Sequence, residues 1–115
     1  MDNFPNICRP IRIGKMVLKN RIVMAPMGTN LAFAGSYAAT LSHDWYVERA
    51  RGGVSLINLG TVCIAPGGKA AAVGLMLDKG EYIAGLRDIT DDVHALGVKA
   101  CIQLYHAGRQ TTLEA

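Results

Sequence analysis

The chain has little charge, few aromatic residues and no closely spaced cysteines, and each shortage closes off a class of function. Only 18% of its 115 residues are Asp, Glu, Lys or Arg and 6% are Phe, Trp or Tyr, while 50% are hydrophobic. That balance belongs to a folded globular chain and not to a self-repelling disordered tail. The net charge of +3 comes from scattered Lys and Arg, with no basic run interleaved with aromatics, so no nucleic-acid partner is expected. No apolar run approaches the roughly 20 residues that span a bilayer, and Met1 to Pro10 lack the charged-then-apolar layout of a signal peptide. A cytoplasmic location with no membrane partner follows as the expectation. Cys8, Cys63 and Cys101 are an odd number at wide spacing, which fits neither a disulfide framework nor a C-x-x-C metal knuckle. Three reduced, partly buried thiols and no metal site are expected. Phosphate signatures are missing too: no G-x-G-x-x-G follows a strand, and Gly67-Gly68-Lys69-Ala70 lacks the earlier glycine and the Ser or Thr of a P-loop.

What is present is an alternation of apolar runs with helical periodicity. Ile11 to Ile13 and Met16 to Leu18 flank Gly14-Lys15 and read as a short capping hairpin. Arg21 to Ala25 is a β-rich run ending at Pro26, apolar enough to expect burial on both faces as in a parallel sheet. Met27 to Ala39 reads as a loop leading to a helix that Thr40 or Ser42 caps. From Leu41 to Arg51 the period is helical, with Tyr46, Val47 and Ala50 on one side and Gly52-Gly53 as a left-handed stop. Val54 to Leu59 is a second buried strand finishing at Gly60, followed by a long loop to about Lys79. A second helix places Tyr82, Leu86, Ile89, Val93 and Leu96 on one face and Arg87, Asp88, Asp91 and Asp92 on the other, and ends at Gly97. Lys99 to Leu104 is the third strand, and the rest is loop.

Strand, helix, strand, helix, strand implies parallel strands joined by right-handed crossovers. Either an open doubly wound sheet or an arc of a closed barrel fits, and periodicity does not choose between them. In both, chemistry gathers at the carboxyl ends of the strands, which puts Pro26 to Asn30, Gly60 to Thr61 and Gln103 to Arg109 in view. The third end packs an amide, an aromatic, an imidazole and a guanidinium into one turn. An inward amide can donate to and accept from a heterocycle edge at once, and a nearby cation stabilises arriving electron density. Ordinary surface polar residues are the plain alternative, as a flexible glycine loop is for residues around Gly67. His43 and His94, in or beside helices, read as surface or packing residues, and Trp45 and Tyr46 as packing.

Three segments carry a family resemblance: Leu18 to Met27 (LKNRIVMAPM), Glu48 to Val54 (ERARGGV) and Gln103 to Arg109 (QLYHAGR). In this order they resemble the Old Yellow Enzyme family, the NADH:flavin oxidoreductases, from about Phe4 to Gln110. The resemblance implies the N-terminal portion of a TIM (β/α)8 barrel, incomplete: an N-terminal hairpin and about three β/α units within residues 1–115 of an FMN-binding domain. It implies FMN as cofactor, NAD(P)H as reductant and an enone- or enoate-type substrate. Met27-Gly28-Thr29-Asn30 looks most like the larger enoate-reductase and dienoyl-CoA-reductase branch, in which FAD and a 4Fe-4S cluster would lie outside this chain.

Carried over by position, Pro26, Met27 and Gly28 would lie along the flavin ring near its N5 and O4 edge. Gly60 matches a small residue, Gly or Ala, that lets the backbone approach the ring, and Gln103 matches the glutamine that hydrogen-bonds the pyrimidine side. Tyr105 stands on the substrate side, while His106 and Arg109 shape the loop. Gly28 departs from the family, where Cys or Thr often tunes the flavin. The family's substrate-orienting His/His or His/Asn pair and proton-donating Tyr would lie beyond the third strand, so no catalytic residue is assigned here. With three of eight strands, the chain is expected to be inactive alone and to self-associate or need a completing chain. A non-catalytic assembly module, or a small α/β domain binding another ligand through the Gly67 loop, are the alternatives.

Overall fold

A computed structural model of the chain describes residues 4–111. After a single helical turn, α1 (Pro5–Cys8), the hairpin pairs β1 (Ile11–Ile13) with β2 (Met16–Leu18) antiparallel, Ile11 opposite Leu18 and Ile13 opposite Met16. Gly14 turns the chain at φ +57°, the positive φ that a tight two-residue hairpin turn demands. Asn20 then joins the hairpin to the body. Nearly buried at 6% exposure, its amide donates to Gly53 O at 2.7 Å, its Oδ1 accepts from Ile22 N at 3.0 Å, and its carbonyl accepts from Ser55 Oγ at 2.9 Å. Lys19 Nζ donates to Leu96 O at 3.1 Å, a cation at a helix carboxyl end where the dipole favours it.

The parallel sheet is built around β4 (Leu56–Cys63). Along one edge runs β6 (Lys99–Tyr105), from Leu56 opposite Lys99 to Cys63 opposite Tyr105. The other edge holds β3 (Val23–Met24) at its start and β5 (Leu75–Met76) at its end. Two helices, α2 (Thr40–Arg51) and α3 (Ile83–Ala95), cover one face. Between them and the sheet lie Ile57, Leu59 and Val62 of β4, Tyr46 and Ala50 of α2, Leu86, Ile89 and Val93 of α3, and Val98. Each such aliphatic side chain contributes about 1.5–3 kcal/mol by leaving water. Gly85 lets α3 come close: a methyl there would sit 2.3 Å from Ala38 O. The opposite face has no helix, and Lys99, Cys101 and Gln103 are exposed on it in the alternation a strand imposes.

The helices follow the sequence pattern, with Tyr46, Val47 and Ala50 buried on α2 and the acidic side of α3 outward. Gly53 at φ +96° and Gly97 at φ +69° supply the left-handed stops. Several details differ. The first strand is two residues, and Ile22 and Val23 are 40% and 43% exposed, so the expected burial of this run on both faces does not hold. The second strand does not stop at Gly60 but continues to Cys63, the register shifting between Leu59 and Val62; a bulge at a glycine absorbs the irregularity and pairing resumes. Leu96 is 38% exposed, not core. The residue before α2 is Ala39 with no side-chain cap. Ser42 instead donates to Leu31 O at 2.7 Å. The stretch from Gly60 to Lys79 holds a 3-10 turn (Pro66–Gly68) and β5.

His43 bridges the two helices, its Nε2 2.8 Å from Asp92 Oδ2 and its Nδ1 3.2 Å from Asp44 Oδ1. Asp44 first, then Asp92, raise its pKa above the ordinary 6.5. A raised folded-state pKa adds stability that is full below about 6.5 and fades as pH climbs through the higher folded value. Urea denaturation should therefore show the native chain losing roughly 0.3–1 kcal/mol more between pH 6 and pH 8 than His43→Gln does, the scale of a half-exposed pair. Asn20→Ala strands the Gly53 carbonyl and the Ile22 N–H, and should lower stability by about 1–3 kcal/mol in the same assay.

Candidate functional site

Three strands of the sheet come together at Gly60, which sits at the bulge inside β4. Its backbone bridges to both Met27 and Gly28, and a methyl built on it would lie 2.6 Å from Pro26 Cβ and 3.3 Å from Gln103 Oε1. Pro26, Gly60 and Gln103, some eighty residues apart at their extremes, are thus in mutual contact range. The sequence reading admitted Gly or Ala at position 60. Here the obstacle is a rigid proline, so only glycine fits. Gly28 follows, with Thr61 Oγ1 3.6 Å from where its Cβ would be.

Gln103 and Met27 are exposed, Met27 at 51%. Among the described residues the Gln103 amide makes no hydrogen bond, so one donor and one acceptor group stand ready beside the Gly60 backbone. Asn58 and Cys101 pair in register on the same uncovered face, Cys101 Sγ against Asn58 Oδ1.

Sequence reasoning treated Tyr46 as packing alone, and the structure assigns it more. At 1% exposure, its hydroxyl donates to Gly60 O at 3.4 Å and accepts from Gly60 N at 3.3 Å. The α2 side chain therefore holds the bulge backbone from behind. Burial pushes the Tyr46 pKa up and the bond to Gly60 offsets part of that rise, so the phenol stays protonated. One signal was available: a tyrosine on the buried face of a helix must find a partner for its hydroxyl.

Beside this convergence lies a cleft of about 290 Å³, lined by Gly28, Asn30, Thr61, Cys63, Lys69, Ala70, Leu75 and Tyr105 among others. Among the described residues the buried Tyr105 hydroxyl has no hydrogen-bond partner. Lys69 is half-buried and comes from the glycine loop, which is not free: the His106 ring lies over Gly68, where a methyl would sit 2.6 Å from Cδ2. Ala107 N donates to Gly68 O at 2.7 Å, and Gly108 N donates to His106 Nδ1 at 3.0 Å. His106 thus shapes the loop as the sequence implied. Arg109, exposed, lies in a 3-10 turn (Gly108–Gln110). His94 is exposed. Among the described residues no group of three or more His, Cys, Asp or Glu could hold a metal ion, and no helix is long and apolar enough to cross a membrane.

Gly60→Ala forces Pro26 or β4 to shift, and overpacking of this kind costs about 1–3 kcal/mol. A matching drop in the urea midpoint is expected, larger than for Gly67→Ala, where a methyl meets nothing within 4 Å.

Comparison with known proteins agrees with this geometry. The chain is 48% identical over 113 residues to an NADH oxidase of Thermoanaerobacter brockii, covering 97% of this chain and 17% of that protein. Its structure matches 2-naphthoyl-CoA reductase with a TM-score of 0.91 at 25% identity, over 95% of this chain and 17% of the reductase. It matches Old Yellow Enzyme from a Pichia species with a TM-score of 0.86 at 26% identity, over 92% and 28% of the respective chains. The chain therefore spans 17% to 28% of these three relatives, as one arc of the TIM barrel fold. The model of the NADH:flavin oxidoreductase / NADH oxidase family matches residues 6–115, and the chain belongs to that family.

Proposed function

We propose that residues 1–115 form the N-terminal part of an FMN-binding barrel domain and supply one wall of the flavin site of an NAD(P)H-dependent ene reductase. The convergence of Pro26, Gly60 and Gln103 carries this reading. A flat heterocycle needs a backbone surface without projecting Cβ atoms and an amide at its edge, and the residues present fit that need. FMN, when bound, supplies the centre through which hydride passes from NAD(P)H to an activated carbon–carbon double bond. Gln103 would orient the pyrimidine side, the backbones of Pro26, Met27 and Gly28 would approach the N5 and O4 edge, and Gly60 would let the backbone come close to the ring. With glycine at position 28, no side chain there donates to the ring. Tyr105 faces the substrate side, and Tyr46 acts as a positioning residue by fixing Gly60.

The residues that orient substrate and donate its proton would come from the rest of the barrel, so this chain is inactive alone. The higher identity to the relative of which it covers 17% favours the larger branch, with FAD and a 4Fe-4S cluster outside these residues. An enone- or enoate-type small molecule is the substrate class, and the cytoplasm, where the thiols stay reduced, is the location. The uncovered sheet face and the outer edge of β6, with Leu104 at 60% exposure, call for self-association or a completing chain.

Gln103→Leu, in the protein that carries this chain, should weaken FMN binding about 3- to 10-fold, the weight of one neutral hydrogen bond. Quenching of flavin fluorescence on titration measures it. An unchanged affinity would remove Gln103 from the flavin site.

A further inference from the structure

The strand β4 changes phase within its own length. Ile57 and Leu59 belong to the core against the helices, and strict alternation would send Thr61 there after them. The register shift between Leu59 and Val62 gives that place to Val62 instead, which is wholly buried in the same core. Thr61 is thereby turned out of the apolar layer. It is half-buried and lines both clefts that border Gly28. Bulges re-aim side chains in this way.

Gly28 makes room for what the bulge presents. Thr61 Oγ1 lies 3.6 Å from where a Cβ on Gly28 would stand, and among the described residues no other heavy atom beyond residues 27–29 comes within 4 Å of that point. The hydroxyl is also unspent. Thr90 donates to Arg87 O at 2.9 Å, Thr111 donates to Lys69 O, and Thr29 Oγ1 accepts from Leu31 N at 3.4 Å. Thr61 makes no side-chain hydrogen bond among the described residues; Thr40, which also makes none, opens α2. Of the other polar side chains on the larger cleft, Cys63 donates to Ala65 O at 3.1 Å and Lys69 reaches Ser36 Oγ at 3.4 Å. Asn30 borders the same space but lies outside 4 Å of the Gly28 position.

The chain on either side of Thr61 is fixed. Gly60 is held through its N–H and carbonyl by the Tyr46 hydroxyl, and Val62 pairs with Leu104. A donor carried between two anchored residues meets its acceptor with little reorganisation. We infer that the β4 bulge presents the Thr61 hydroxyl as a flavin-contacting hydrogen-bond donor, in the space that glycine at position 28 leaves open. This rests on the reading of the wall around Gly60 as a flavin site. Reduction adds electron density to the ring, and a hydrogen bond to an acceptor that has gained charge is about twice as strong as a neutral one. Thr61 therefore favours the reduced form of the bound flavin over the oxidised form.

The test measures binding of FMN to the protein that carries this chain, stripped of flavin, by equilibrium ultrafiltration in air and again anaerobically after dithionite. Valine matches threonine in shape and lacks the donor. Thr61→Val should weaken binding of oxidised FMN about 3- to 10-fold and of reduced FMN about 10- to 100-fold, the weights of a neutral and a charge-assisted hydrogen bond. Thr61→Ser should keep both affinities, and Thr90→Val should change neither. An equal loss for the two forms, no loss, or a loss in Thr61→Ser as large as in Thr61→Val overturns the assignment. A native protein that takes up no flavin overturns the flavin reading and this inference together. Weakened binding in Gln103→Leu with none in Thr61→Val leaves that reading standing and removes this one alone.

Discussion

The closeness of Gly60 to Pro26 is the constraint on which the rest of the site depends. The chain just past β3 approaches the bulge inside β4 until a methyl group on Gly60 would be 2.6 Å from the proline ring, and the amide of Gln103 lies at the same point from the other side. Nothing on the solvent side enforces it. The force comes from behind, where the Tyr46 hydroxyl grips both polar groups of the Gly60 backbone and the apolar residues of α2, α3 and β4 exclude water. The exposed end of this stack is therefore held by its buried layer, the arrangement that fixes residues on sheet elements more precisely than on free loops.

Much of the fold was legible because its periods are clean. Tyr82, Leu86, Ile89 and Val93 recur at helical spacing, and all four are buried; Gly53 and Gly97 end the helices because each takes a positive φ. The first strand was less legible. Its apolar run looked buried on both faces, yet composition does not say whether a second covering layer exists, and Ile22 and Val23 remain exposed. The second strand misled at Gly60 for a related reason. Glycine marks strand ends and strand bulges alike, and only the partner strand, which resumes pairing at Val62 and Leu104, distinguishes them.

Pro26, Met27, Gly28, Gly60 and Gln103 were proposed from strand-end logic and family likeness, and in the structure the other four lie against Gly60. Tyr46 and Lys69 were not found. A hydroxyl that reaches from a helix to a strand bulge 14 residues away, and an ammonium carried into a cleft by a glycine loop, are products of tertiary approach, and neither leaves a periodic trace. The same loop was read as flexible because glycine permits flexibility. In the structure Gly68 is glycine because the ring of His106 occupies the space of a side chain.

That stacking has a consequence for how such a cleft diversifies. The loop is anchored at Gly68 by His106 and Ala107 and again at Leu75, which pairs with Val62. Residues 69 to 74 hang between these two moorings, with Lys69, Ala70, Ala71 and Gly74 lining the cleft. Insertions, deletions or charge reversals in that span would redraw the floor of the cleft while the junction stayed in place. The shape of the cleft wall is thereby uncoupled from the packing that fixes Gly60 within a single stretch of chain, and the first can drift across descendants without endangering the second.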